Sequence, residues 1–158
     1  MAFDQRDFRT ALGHFATGIT VVTSCASDGE LLGVTANSFN SVSLDPPLIL
    51  FSLEKRAFSL AAFEAAGCFA VNILGESQTS LSQNFARTRG DKWGGIAYEK
   101  WTTGSPILTG CLAAFDCRTH AIYDGGDHRI FLGEVLRFDA KAEGNPLVYF
   151  RGSYTALR

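Results

Sequence analysis

Between its turn signals this chain repeatedly produces short runs of β-branched and aromatic residues, and that rhythm restricts it to a many-stranded sheet. Residues 19–23 (Ile-Thr-Val-Val-Thr) are one such run, and Ser27-Asp28-Gly29 supplies a hairpin turn because Asp-Gly tolerates positive φ. Residues 31–36 form the return strand, and further strands are predicted over 48–53, 68–73, 111–123, 130–138 and 147–150. Asp45-Pro46-Pro47 stops any ladder and forces an extended approach to residue 48. Asp124-Gly125-Gly126-Asp127 breaks the longest run, and residues 141–146 read as a loop.

Helices are few and short. Phe8, Leu12 and Phe15 lie at i, i+4 and i+7 on one helical face, with Asp4 as N-cap and Gly18 as the stop. Residues 59–66 form a second helix, capped by Ser59 and ended by Gly67, and residues 80–85 a third. The expected fold class is therefore mainly β, a β-barrel with short helices. With 158 residues and no linker composition, residues 1–158 read as one domain.

Charge and cysteine usage exclude several function classes. The chain has 14 basic and 16 acidic residues with no Lys/Arg run, so neither nucleic acid nor an anionic membrane is an expected partner. The first ten residues, MAFDQRDFRT, carry charges where a secretory signal needs an apolar stretch, and no apolar run is long enough to cross a bilayer. A cytoplasmic location is expected. Cys25, Cys68, Cys111 and Cys117 include no C-x-x-C pair and read as free buried thiols; with His14, His120 and His128 scattered, no metal site is expected.

Standard nucleotide signatures are missing. There is no G-x-G-x-x-G after a strand, no P-loop and no G-x-S-x-G elbow. What remains is Val34-Thr35-Ala36-Asn37-Ser38, small residues at the mouth of a strand where a flat ring can lie against backbone while Asn37 and Ser38 bond its edge. Ser52 and Leu53 end the next strand, and Lys55, Arg56 and Ser59 gather at a helix start suited to phosphate. The plainer alternative makes Ser38 and Ser59 ordinary caps and Lys55-Arg56 a solvated turn. Gly126-Asp127-His128 is either a hairpin tip with a surface histidine or a contact for a second ligand. Asn84-Phe85-Ala86 closes the third helix, and Arg87, Arg89 and Lys92 after it are cations that a helix C-terminus also favours. Trp93, Trp101 and Tyr154 are either stacking platforms or packing residues.

In order along the chain, residues 15–23 (FATGITVVT), 35–39 (TANSF), 41–47 (SVSLDPP), 69–72 (FAVN), 126–128 (GDH), 133–135 (GEV) and 146–154 (PLVYFRGSY) resemble the flavin reductase family with the FMN-binding split barrel. Residues 123–129 and 146–154 are most similar to the small reductase components of 4-hydroxyphenylacetate 3-monooxygenase-type systems. The resemblance implies a homodimer that binds FMN or FAD, takes hydride from NAD(P)H to flavin N5, and releases reduced flavin to a separate monooxygenase. It implies that Val34, Thr35, Ala36, Asn37 and Ser38 line the ring and ribityl parts of the flavin. Ser52, Leu53, Lys55 and Ser59 would follow the chain to the phosphate, while Asn84, Phe85 and Ala86 touch the flavin from the third helix. His128 falls on the family's Gly-Asp-His motif, associated with nicotinamide binding. Trp93 departs from the Phe that relatives often carry after Asp-Lys. The alternatives are a flavin-binding module without turnover, or a reductase passing electrons to a cobalamin or metal chelate.

Overall fold

The structure, a computed structural model, describes residues 3–157. The first helix, α1 (Gln5–Leu12), is capped by Asp4, whose carboxylate accepts the N–H of Arg6 at 2.6 Å and of Asp7 at 3.4 Å. It ends at Gly13 and not at Gly18, because the N–H groups of His14 and Phe15 turn to the carbonyls three residues back. Phe15 thus lies outside the helix, and Phe8, Leu12 and Phe15 are all exposed instead of forming a packed face.

The strands β1 (Thr17–Gly18) and β2 (Thr20–Cys25) follow. β2 carries β-branched and small residues on both of its faces and is buried on both sides. Val22 faces the cluster of Phe51, Phe63, Phe69 and Phe131, whereas Val21 faces that of Leu74, Phe85, Leu108 and Leu147. A hairpin leads to β3 (Leu31–Ala36), followed by β4 (Asn40–Leu44), β5 (Pro47–Glu54), α2 (Leu60–Ala66) and β6 (Cys68–Ile73). A single 3-10 turn (Glu76–Gln78) runs into α3 (Thr79–Ala86). The remaining strands are β7 (Tyr98–Lys100), β8 (Pro106–Leu108), β9 (Ala113–Gly125), β10 (His128–Ala140), β11 (Val148–Phe150) and β12 (Ser153–Thr155). No helix among the described residues is long and apolar enough to cross a membrane.

Seven strands form one antiparallel sheet in the order β3-β2-β6-β9-β10-β5-β4, and β1-β11-β12 and β7-β8 form two small sheets. Two expectations change here. β4 is a strand where only a polar connection was expected, and Asp45-Pro46 turns it into β5, with Pro47 opposite Leu44 in the ladder. As an outer edge β4 is mostly exposed, so no burial imprints alternation on its sequence. The run expected from residue 111 begins at 113, and residues 106–108 form the separate strand β8.

The two ends of the large sheet are brought together by a side chain. Beyond the reach of β4, Ser52 of β5 has both peptide groups bonded by the Ser38 hydroxyl, which accepts from its N–H at 2.9 Å and donates to its carbonyl at 3.1 Å. That rung links the end of β3 to β5, which share no ladder of their own. Inside, Phe51 stacks on Phe131 at 4.8 Å and meets Phe69 edge-on at 4.9 Å, so aromatic packing fills the space that the curled sheet encloses. All four cysteines are free, but only Cys111 and Cys117 are buried; Cys25 and Cys68 are half-buried. Burial pushes the Cys111 thiol up to about 11 and the Cys117 thiol higher still, so neither is a nucleophile at neutral pH.

Candidate functional site

A cleft of about 910 Å³ opens where β3, the β5–α2 turn and the segment after α3 converge. Its size lies in the range of small-molecule and cofactor pockets. β3 is the edge of the large sheet, so its outer side offers peptide N–H and C=O groups that no neighbouring strand takes. Leu32, Val34 and Ala36 turn toward the Phe cluster, while Gly33 and Thr35 face α3. Thr35 donates its hydroxyl to the Ser82 carbonyl at 2.6 Å.

Gly33 sets how closely α3 approaches. A Cβ there would fall 2.5 Å from the Phe85 ring and 3.2 Å from Trp93, so only a residue without a side chain lets the helix lie against the strand. Phe85 is fully buried against Trp93, their rings 4.9 Å apart and nearly perpendicular, and both line the cleft. A glycine inside a strand is the sequence signal that could have marked this position.

The segment after α3 carries three cations into the cleft lining, Arg87, Arg89 and Lys92, and none has a carboxylate within ion-pair distance among the described residues. Lys92 donates to the carbonyls of Gly33 at 3.2 Å and Phe85 at 3.4 Å. Burial, with the Arg87 charge beside it, holds its ammonium below the usual lysine pKa. Arg87 donates to the Asn84 side-chain oxygen at 2.6 Å and the Asp91 carbonyl at 2.8 Å. Contacts in the fold orient Arg87 and Lys92, whereas sequence offered only a helix-end preference.

The structure gathers most of the expected residues around this one cleft. Val34, Thr35, Ala36, Asn37, Ser38, Ser52, Leu53, Ser59, Phe85, Ala86 and His128 all line it. The Asn37 side chain is exposed and has no hydrogen-bond partner among the described residues, whereas Ser38 has already given its proton to Ser52. Ser59 makes no cap bond, because its backbone is already helical.

Lys55 and Asn84 stand outside the lining. The Lys55 ammonium pairs with Asp124 at the tip of the β9–β10 hairpin, and its N–H bonds the Asp127 carbonyl at 2.8 Å. That ion pair holds the Asp124 carboxyl below the usual carboxylate range. In this structure the Lys55 ammonium is therefore engaged with the hairpin. Lys55→Gln is expected to change the affinity of the cleft for a phosphate-bearing ligand by less than about threefold, since exposed pairs contribute little. A binding titration checks it, and a loss of about tenfold or more would make Lys55 a phosphate ligand. Asn84 turns inward to the loop, donating to the Lys92 carbonyl at 2.6 Å as well as accepting from Arg87.

His128 opens β10 across from Gly125, after a two-residue turn in which Gly126 takes φ 76°. Its Nδ1 lies 2.6 Å from an Asp127 carboxylate oxygen, and this contact lowers the Asp127 pKa. Because a carboxylate accepts, Nδ1 carries the hydrogen, and Nε2 is left without a partner among the described residues.

The family described as "Flavin reductase like domain" matches residues 12–158. The chain is 44% identical over 156 residues to the flavin-dependent monooxygenase reductase subunit HsaB of Rhodococcus jostii, covering 99% of this chain and 80% of that protein. It is also 44% identical over 151 residues to the FMN reductase (NADH) SmoA of Agrobacterium fabrum, covering 96% and 85%. The NADH:FAD oxidoreductase SgcE6 of Streptomyces globisporus, solved with NAD and FAD fragments, superposes with a TM-score of 0.92 at 34% identity, covering 100% of this chain and 97% of that one.

Proposed function

The chain belongs to the flavin reductase like family, and from that premise we propose that its cleft is where hydride passes from NAD(P)H to FMN or FAD, the reduced flavin then serving a separate monooxygenase. The observation that carries this reading is the pairing of an open strand edge with unpaired cations across one cleft. A flat, anionic, hydrogen-bonding ligand needs both. The residues present fit a flavin. β3 supplies small side chains and peptide groups that no neighbouring strand takes, Asn37 an amide with no hydrogen-bond partner among the described residues, and Arg87 and Lys92 positive charge.

Bound flavin supplies the hydride acceptor, N5, for C4 of the nicotinamide. The chain's own residues bind, orient and exclude water. The β3 edge and Asn37 would present donors to a bound flavin ring and would favour negative charge on it. Thr35 and Gly33 fix α3 against that edge, so Phe85 and Trp93 close one side of the cleft to solvent. His128, oriented by Asp127, would offer Nε2 to a bound nicotinamide. No proton-transfer dyad is required.

The reading is tested by mixing protein, NADH and either flavin and following the nicotinamide absorbance band. Flavin-dependent oxidation is expected, and flavin binding without oxidation would overturn it. His128→Ala is expected to raise the KM for NADH by about tenfold, one lost hydrogen bond's worth, with flavin affinity within about twofold of wild type. An unchanged KM removes His128 from the site.

The lining runs from Glu30 to His128 along the chain, which supports residues 1–158 acting as one split-barrel domain. The exposed apolar row of Phe8, Leu12 and Phe15 supports a homodimer, since α1 buries none of its own residues in the protomer. Sedimentation at twice the chain mass is the expected result. A cytoplasmic location fits this role as a supplier of diffusible reduced flavin.

A further inference from the structure

One pair at the mouth of the cleft is used neither by the core nor by the reaction described above. Phe58 lies in the turn between β5 and α2, and 74% of it is exposed, whereas Phe51, Phe63, Phe69, Phe85 and Phe131 are each at most 1% exposed. It is the one strongly exposed aromatic ring in the cleft lining. Arg89 comes from the opposite wall, the segment after α3, and its guanidinium carbon stands 5.4 Å from the centre of the Phe58 ring. Arg87 and Lys92 donate to carbonyl and amide oxygens, but the Arg89 side chain has no hydrogen-bond acceptor and no carboxylate among the described residues.

An aromatic face and a planar cation with all its donors free have a shared chemical preference. The ring and guanidinium plane stack on a planar heteroaromatic base, and the free N–H fork donates bidentately to phosphate oxygens. FMN offers one ring system and one phosphate, which the cleft reading above assigns to the β3 edge and to Arg87 and Lys92. FAD and NAD(P)H each add an adenine joined to a diphosphate. We infer that Phe58 and Arg89 form a binding platform for the adenosine diphosphate half of a dinucleotide, so that this pair sets the preference for dinucleotide over mononucleotide. The inference rests on the flavin cleft proposed above.

The test compares wild type with Phe58→Ala, Arg89→Gln and Phe58→Tyr, measuring FMN and FAD dissociation constants by fluorescence quenching and the KM for NADH with FMN as acceptor. Phe58→Ala and Arg89→Gln are expected to leave FMN affinity within about twofold while weakening one dinucleotide about tenfold, and Phe58→Tyr is expected to retain it. A loss in the FAD arm identifies the flavin dinucleotide as the occupant, and a loss in the NADH arm identifies the nicotinamide one. Equal losses for FMN and FAD, no loss in any arm, or a change confined to sedimentation behaviour would overturn the platform. A wild type that binds neither flavin would instead overturn the cleft reading itself, so the two failures are distinct.

Discussion

Gly33→Val is expected to lower the melting temperature by about 6–12 °C, the shift that about 3 kcal/mol of overpacking produces in a chain of this size. Flavin affinity is expected to fall roughly a hundredfold, equivalent to about 2.7 kcal/mol. The cause is local and geometric. The first added carbon lands 2.5 Å from two atoms of the Phe85 ring, which is rigid and buried against Trp93. Phe85 can relieve the clash only by moving α3 away from β3 or by pushing into the cleft. Either movement disturbs the Thr35–Ser82 and Lys92–Gly33 bonds that hold the two elements in register. Gly18→Ala serves as the control, because a Cβ there meets nothing within 4 Å, and its effect should stay within about 0.5 kcal/mol. Thermal melts without ligand and flavin titrations read the two effects separately. Wild-type values for both in Gly33→Val would show that α3 and β3 are not locked through this contact.

How much of this was legible in the sequence depended on whether a residue's role was local. β3 and β6 were read with their observed bounds, because each is a compact β-branched or apolar run between turn residues. The Asp-Gly and Gly-Asp hairpins were legible for the same reason, since turn chemistry is written in adjacent residues. β4 was not, because an edge strand of Asn-Ser-Val-Ser-Leu has no buried face to impose alternation. The helical spacing of Phe8, Leu12 and Phe15 overran α1, since periodicity alone does not register where the hydrogen bonds change partner. On the β3 wall Val34 to Ser38 were named but Gly33 was not, and on the wall opposite Phe85 and Ala86 were named, whereas Arg87, Arg89 and Lys92 read only as helix-end cations. Lys55 has charge and position that suit a phosphate, and only the folded chain brings Asp124 to it. Phe58 lay beyond sequence reading, for its meaning comes from Arg89, thirty-one positions away by numbering and across the cleft in space.

Asn84→Ala is expected to weaken flavin binding about thirtyfold, or about 2 kcal/mol, although Asn84 does not line the cleft. Its amide donates to the Lys92 carbonyl at 2.6 Å, and its oxygen accepts from the Arg87 guanidinium at 2.6 Å. Removing both frees the two ends of the segment that carries the cations. A hydrogen bond to a charged group contributes about 1.5–3 kcal/mol and a neutral one about 0.5–1.5 kcal/mol, so their joint loss matches the expected penalty once part is recovered by water. The segment is exposed apart from half-buried Lys92 and Trp93, so the melting temperature should fall far less than in Gly33→Val. The turnover number at saturating flavin should remain within about twofold, because the effect is on capturing the flavin and not on the hydride step. Asn84→Asp separates positioning from simple destabilisation. It keeps the acceptor for Arg87 but loses the donor to Lys92, so its flavin affinity should lie between wild type and Asn84→Ala. Equal affinities in the two variants would mean that the Arg87 bond does nothing for the cleft, and Asn84 would then act only through Lys92.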